Sequence, residues 1–264
     1  MTETQLPCRL VWRPAVIIAA HPDDEILGLG TLLSSFRSLR AIVHVTDGAP
    51  RRGPDVANAG VNSWQEYAAL RRREFVAAIQ KAGIRAVHLI CLGYPDQQAS
   101  LNLTTLPGRL ARVFQRFRPA SVFTHPYEGG HPDHDACALS VRLACSVMDS
   151  RIRPEVFEFA SYHASSTGSL QNERFLSRSR RVWSRRLDPE QQKMKSNLLS
   201  AYVSQRPVLA QFPLCYEPVR VAPRYDFRKP PHRGKLYYEN FDWGMTGSRW
   251  RRLASQAMRT LAAV

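Results

Sequence analysis

Ala15-Val16-Ile17-Ile18-Ala19-Ala20-His21-Pro22-Asp23-Asp24-Glu25 is an apolar run that ends in a histidine and three carboxylates. The run has the look of a buried strand. A strand that stops in so many ionisable groups needs a compensating ion or a reaction that uses them. A second cluster of the same kind, Gly129-Gly130-His131-Pro132-Asp133-His134-Asp135, again follows a short apolar run, at 120–124. Together the two clusters make a divalent metal site the leading reading.

Working outward, residues 15–20, 41–46, 86–91 and 120–124 are short β-rich runs separated by segments of helical periodicity. That alternation predicts parallel βαβ units and an α/β fold. Ile26, Leu29, Leu32, Leu33 and Phe36 share one helical stripe after the first run. Ser63-Trp64-Gln65-Glu66 predicts a capping box opening a helix to about Gly83. Leu106, Leu110, Val113, Phe114 and Phe117 mark a third crossover that ends before Arg118-Pro119, and a fourth helix starts in the second cluster and runs through Leu139, Leu143 and Val147. His21 then follows strand one, Asp47 strand two, Asp96 strand three, and His125, His131 and His134 strand four. In an open parallel sheet those loops share one edge, where ligands bind.

Val156 to Tyr162 predicts a further strand, Ser165 to Arg186 a basic loop insertion, and Asp188-Pro189-Glu190 a helix start with Met194, Leu198, Leu199 and Tyr202 as its apolar stripe. From Arg206 on, proline and aromatics are frequent and periodicity is poor, as expected of a packed tail. A chain of 264 residues that is 44% hydrophobic suffices for one large domain, and we expect a single domain over 1–264, with a 206–264 extension.

The formal charge of +15 is concentrated in runs such as Arg71-Arg72-Arg73 and the stretch 178–186, and favours anionic partners, although a solvated basic surface would look the same. Cys8, Cys91, Cys137, Cys145 and Cys215 are scattered without a C-x-x-C pair, which argues against a disulfide framework and a thiolate zinc site. No apolar stretch approaches the roughly 20 residues of a membrane-spanning helix, and Met1 to Arg13 lacks a signal-peptide core, so the expected location is cytoplasmic.

A catalytic zinc takes three nitrogen or oxygen ligands and keeps one position open. His21 and Asp24 from one turn with His134 from the other would supply that set. Asp23 would stand beside the attacking water as general base, and His131 would face the substrate carbonyl, holding the oxyanion or protonating the leaving amine. Asp23, Asp24, Asp133 and Asp135 also suit helix N-termini. His125 and Asp47 have a duller reading as satisfied strand-end groups, and His44, His88, His163 and His232 as structural or surface residues.

Over residues 14–205 the chain resembles the PIG-L/LmbE family of zinc-dependent de-N-acetylases. Ala20-His21-Pro22-Asp23-Asp24-Glu25 is similar to that family's first signature and Gly130-His131-Pro132-Asp133-His134 to its second, with weaker echoes at Arg71 with Glu74, at Asp96, and in Lys195 to Gln205. The resemblance implies a Rossmann-like, mostly parallel sheet flanked by helices with the metal at the C-terminal edge of the strands. It implies zinc on His21, Asp24 and His134, Asp23 as base, His131 as the transition-state imidazole, and sugar contacts from Arg71 and Asp96. Mycothiol-pathway members carry a tyrosine just ahead of the second signature; here the stretch is the shorter Tyr127-Glu128-Gly129-Gly130, which leaves the role of Tyr127 open.

The expected function is removal of an acetyl group from an N-acetylated amino sugar, as an N-acetylglucosamine-type glycoside or conjugate, with one zinc for which iron or cobalt could substitute. The substrate is a small molecule, anionic if the basic charge serves it, with no obligatory nucleic acid partner. Two alternatives are a zinc amidase acting on a non-sugar N-acyl compound and, from another class, a basic nucleic-acid-binding protein with a vestigial metal site.

Overall fold

Strand β1 (Ala15–Ala19) is buried on both faces because it is an interior strand with helices on either side. The computed structural model describes residues 8–165, 167–176 and 182–262; residues 177–181 of the second basic stretch, and the first seven residues of the chain, lie outside them. Around β1 the chain runs α1 (Cys8–Trp12), α2 (Asp24–Leu33), β2 (Leu39–Pro50), α3 (Asp55–Asn58), α4 (Trp64–Lys81), β3 (His88–Asp96), α5 (Leu106–Phe117), β4 (Ser121–Thr124), α6 (Pro132–Ser146) and β5 (Glu155–Phe159). It continues through β6 (Tyr162–Ala164), β7 (Leu170–Asn172), β8 (Val182–Arg186), α7 (Pro189–Leu199), α8 (Arg206–Leu209), β9 (Tyr216–Val221) and α9 (Gly247–Ala262). The main sheet has the order β3-β2-β1-β4-β5-β9-β8, parallel from β3 to β5 and antiparallel at β9 and β8. The mostly parallel α/β sheet expected from the sequence is what forms.

Alternation along β1 divides the core. Val16 and Ile18 face α5, α6 and α9 through Leu110, Phe114, Leu139 and Trp250, while Ala15 and Ile17 face α2, α4 and α7 through Leu29, Phe75, Ile79 and Leu198. The helix stops follow local chemistry. α5 ends at Arg118 in the left-handed conformation (φ 42°), which turns the chain before Pro119. α7 opens with Asp188 and Gln191 in a reciprocal capping box. At α4 only half of the expected box forms: Ser63 Oγ accepts from the Glu66 N–H, but the Glu66 carboxylate reaches one residue further back, to the Asn62 N–H at 3.0 Å.

Four expectations are corrected. Residues 165–186 are more than a loop insertion, since they contain β7 and the sheet strand β8. The tail contains β9, inserted between β5 and β8, and the helix α9. The predicted strand 156–162 is two elements, because the chain leaves β5 after Phe159 and pairs again as the separate hairpin β6-β7. Met194 (39% exposed) and Val147 (68%) lie off the buried faces of their helices. In α7 the inward place beside Leu198 goes to Lys195, whose ammonium lies 3.2 Å from the buried Glu217 of β9; Glu217 also accepts from the Thr31 N–H of α2 at 2.9 Å.

Candidate metal centre

From β1 the chain crosses to β2 on one side, and from β4 to β5 on the other, so the crevice beyond the carboxyl ends of β1 and β4 is the switch point of the sheet. Both clusters quoted above open there, the first leading into α2 and the second into α6. Asp23 takes φ 145°, a conformation L-residues rarely adopt and one that stores strain on the order of 1–3 kcal/mol. As N-cap of α2 its carboxylate makes no capping bond, and instead receives Arg71 Nη2 at 3.0 Å. Gly48 lets Arg71 and Pro22 close in, because a Cβ there would lie 2.7 Å from Pro22 Cδ and 3.0 Å from Arg71 Nε.

The three expected ligands meet pairwise. Asp24 Oδ2 lies 3.1 Å from His21 Nδ1, Asp24 Oδ1 lies 3.2 Å from His134 Nε2, and the His21 and His134 rings are 5.3 Å apart. Donor atoms converge within 4.8 Å in overlapping sets: His21 with His131 and His134; His21 with Asp96, His131 and Asp133; and Asp24 with His125 and His134. His134 provides the test of fit. Its Nδ1 sits 3.2 Å from Ser161 Oγ, whereas its Nε2 is buried with no hydrogen-bond partner although it faces Asp24. Burial and the neighbouring His125 hold its pKa down at about 3, so the ring is neutral; with its one proton on Nδ1, toward Ser161 Oγ, it turns the Nε2 lone pair toward Asp24. In that tautomer a nitrogen lone pair faces a carboxylate, which is repulsive unless a cation lies between them, and the donor set fits a divalent ion.

The surrounding charges are arranged unevenly. Burial opposes charge on His21, but Asp96 and Asp24 overcome it and raise its pKa well above the usual histidine value. Burial would raise Asp24, yet His134, His125 and His21 hold it well below the usual carboxylate range. Asp23 is pushed up to about 7 by burial, against the pull of Arg71. His131 is the N-cap of α6: its Nδ1 accepts the Asp133 N–H at 3.1 Å, which leaves the Nε2–H as the free donor. Burial and His21 lower its pKa to about 3, so the ring is neutral. Asp96 Oδ1 lies 3.0 Å from His21 Nε2, and Arg71, only 2% exposed, keeps its Nε without a hydrogen-bond partner.

Other candidates turn out to serve the scaffold. Asp47 is paired with Arg51 at 2.6 Å. His44 holds Glu25 at 2.8 Å, and Glu25 also receives the Tyr202 hydroxyl at 2.8 Å. Asp135 accepts the Glu128 and Gly129 N–H groups. Asp133 accepts those of Gln97 at 2.7 Å and Ala99 at 2.9 Å, tying the loop after β3 to the second cluster. Tyr127 donates to Lys229 O and stacks on Trp250, so its hydroxyl is engaged in packing. His125 is closer to the centre than a satisfied strand-end residue: its ring stacks on His134 at 3.9 Å, while its Nε2 accepts the Ala20 N–H at 3.0 Å and lies 3.3 Å from Asp24 Oδ2. Tyr162, which the sequence did not single out, packs against His134 at 5.2 Å.

The fold and the site define a doubly wound α/β protein with a candidate histidine and aspartate metal site at its switch point. Residues 16–145 match the PIG-L family model, described as GlcNAc-PI de-N-acetylase. It is 26% identical over 153 residues to the probable N-acetyl-alpha-D-glucosaminyl L-malate deacetylase 2 of Bacillus cereus, covering 56% of this chain and 68% of that protein. It is 28% identical over 142 residues to the 1D-myo-inositol 2-acetamido-2-deoxy-alpha-D-glucopyranoside deacetylase of Mycobacterium sp. strain KMS, covering 45% of this chain and 46% of that protein, less than half its length. Among solved structures, a triple mutant of a deacetylase of the teicoplanin biosynthetic pathway superposes with a TM-score of 0.60 over 81% of this chain and 99% of that one, at 19% identity, a likeness of fold. Among the described residues no helix is long and apolar enough to cross a membrane.

Proposed function

We propose that the protein is a metal-dependent hydrolase that removes the acetyl group from an N-acetylated amino sugar carried in a glycoside or conjugate. The observation that carries this reading is the buried, unpartnered His134 Nε2 facing Asp24 at the switch point; the deacetylase relatives support the substrate class. His21, Asp24 and His134 would hold the ion, for which zinc suits the nitrogen and oxygen donors best, with iron or cobalt as substitutes. When bound, the ion supplies Lewis acidity to the amide carbonyl and to the attacking water.

The chain's own groups do the rest. Asp23 takes the proton of the attacking water on a carboxylate oxygen, and a pKa near 7 lets it pass that proton on to the leaving amine. Arg71 holds Asp23 in place, and its partnerless Nε is a donor for a substrate oxygen. His131 acts through its Nε2–H: a ring kept neutral donates to the developing oxyanion and is a poor source of protons, which favours oxyanion stabilisation over protonation of the amine. Asp96 orients His21 and offers its second oxygen to a sugar hydroxyl. Metal-loaded protein given a panel of N-acetylglucosaminides and simple N-acetyl amines should release acetate from the sugars; equal rates from the amines would favour the non-sugar amidase.

A further inference from the structure

The residues after 206 bring a series of rings to the metal centre. Trp243 lies 4.7 Å from His131 and stacks on Phe241 at 4.5 Å and 13°. Phe241 meets Tyr237 at 5.4 Å, Tyr237 meets Tyr162 at 5.7 Å, Tyr162 meets His134 at 5.2 Å, and His134 lies 5.3 Å from His131. The contacts form a closed circuit that begins on the buried imidazoles, passes through the half-buried Trp243, Tyr237 and Tyr162, and ends at Phe241, 40% exposed. Rings that serve only as core are covered on all sides; these lead from the reacting centre to solvent.

The chain holds them there firmly. The Tyr237 N–H donates to Gly129 O at 2.9 Å, Trp250 Nε1 to Pro132 O at 3.1 Å, and the Tyr127 hydroxyl to Lys229 O at 2.9 Å, which clamps the segment onto the second cluster. Gly130 is needed for the approach, because a Cβ there would collide with the Tyr162 carbonyl oxygen. None of the four outer rings carries a formal charge, so the surface they form suits a flat apolar face better than a carboxylate or a polyol, which would call for cations or a set of donors.

We propose that Tyr162, Tyr237, Phe241 and Trp243 bind the group to which the amino sugar is joined, and that this group carries a planar apolar ring. The proposal rests on the de-N-acetylation reading above. It is tested by calorimetry on Asp23→Asn protein, in which turnover is slowed, titrated with the phenyl and methyl glycosides of N-acetylglucosamine, alongside acetate release by the wild type. The phenyl glycoside should bind about 10-fold more tightly, as expected for one good ring-on-ring contact. That preference should fall below about 3-fold when Phe241→Ala and Trp243→Leu are added; Phe241 is partly exposed, and leucine keeps apolar bulk at 243. Equal affinities in the starting protein, or a preference that survives both substitutions, would overturn the proposal. A phenyl preference without acetate release from either glycoside would leave the ring site standing and remove the de-N-acetylation reading.

Discussion

Two buried polar clusters sit on either side of the second motif, and they treat charge differently. Behind it, Arg220 donates to Glu158 at 2.8 Å, to Glu128 at 3.1 Å and to Tyr225 at 2.8 Å, its guanidinium lies 3.9 Å over Phe175, and the Tyr225 hydroxyl closes the loop on Glu158 at 2.9 Å. Glu128 Oε2 is left over, but the cluster otherwise satisfies itself. In front, the histidine and aspartate cluster leaves His134 Nε2 and Arg71 Nε without hydrogen-bond partners. Burial and ionisable side chains are common to both. Lone pairs and donors left open toward one point distinguish the site from the scaffold.

Substitutions should separate the two. The largest effect is expected at the proposed ligands: His134→Ala and Asp24→Ala would each remove one of the three, and elemental analysis should show the metal lost, with turnover down by roughly 10³-fold or more. Arg220→Met, on the scaffold side, strands two buried carboxylates. Urea unfolding should show about 3–5 kcal/mol less stability, while the folded protein keeps its metal; metal loss in that variant would merge the two clusters into one.

Asp23→Asn should keep the metal and slow turnover by roughly 10²-fold, because an amide cannot take the proton of the attacking water. Arg71→Ala should lower kcat/KM by about 10- to 10²-fold through the loss of charge-assisted hydrogen bonds. Arg72, which donates to Leu89 O, and the exposed Arg73 are the controls, and alanine at either should change little. Equal effects at all three positions would make Arg71 part of a general basic patch.

The smallest effect is a pH dependence of stability. Burial, against the pull of Arg220, raises Glu158 to about 8 and Glu128 to about 7. At these two groups the folded protein therefore holds protons that the unfolded chain has released, so their contribution to stability is fully present below the ordinary glutamate range and is lost as pH rises from about 5 toward 8. Measured relative to a Glu128→Gln, Glu158→Gln double variant, the urea midpoint of the wild type should fall over that window; a relative rise would reverse the sign.

The sequence exposes the site better than it exposes the edge of the sheet. β1 and β4 are legible as apolar runs closed by charges, and His21, Asp23, Asp24, His131 and His134 come together as their spacing suggests. β9, Tyr216-Glu217-Pro218-Val219-Arg220-Val221, does not look like a strand, because Pro218 and two buried charges break the alternation. Glu217 and Arg220 make sense through partners such as Lys195 and Glu158, which are far away in sequence. The ring contacts of Tyr162 with His134 and of Trp243 with His131 are equally non-local and leave no local pattern to read.

The central claim is that the open cluster is the metal-dependent site of de-N-acetylation, and acetate release from N-acetylglucosaminides tests it most directly when the protein is first stripped with chelator and then given one equivalent of zinc per chain. The account predicts no release from the stripped protein and recovery on reloading, with recovery absent in His134→Ala. Full activity in the stripped protein, or no acetate from any substrate of the panel after reloading, would contradict it.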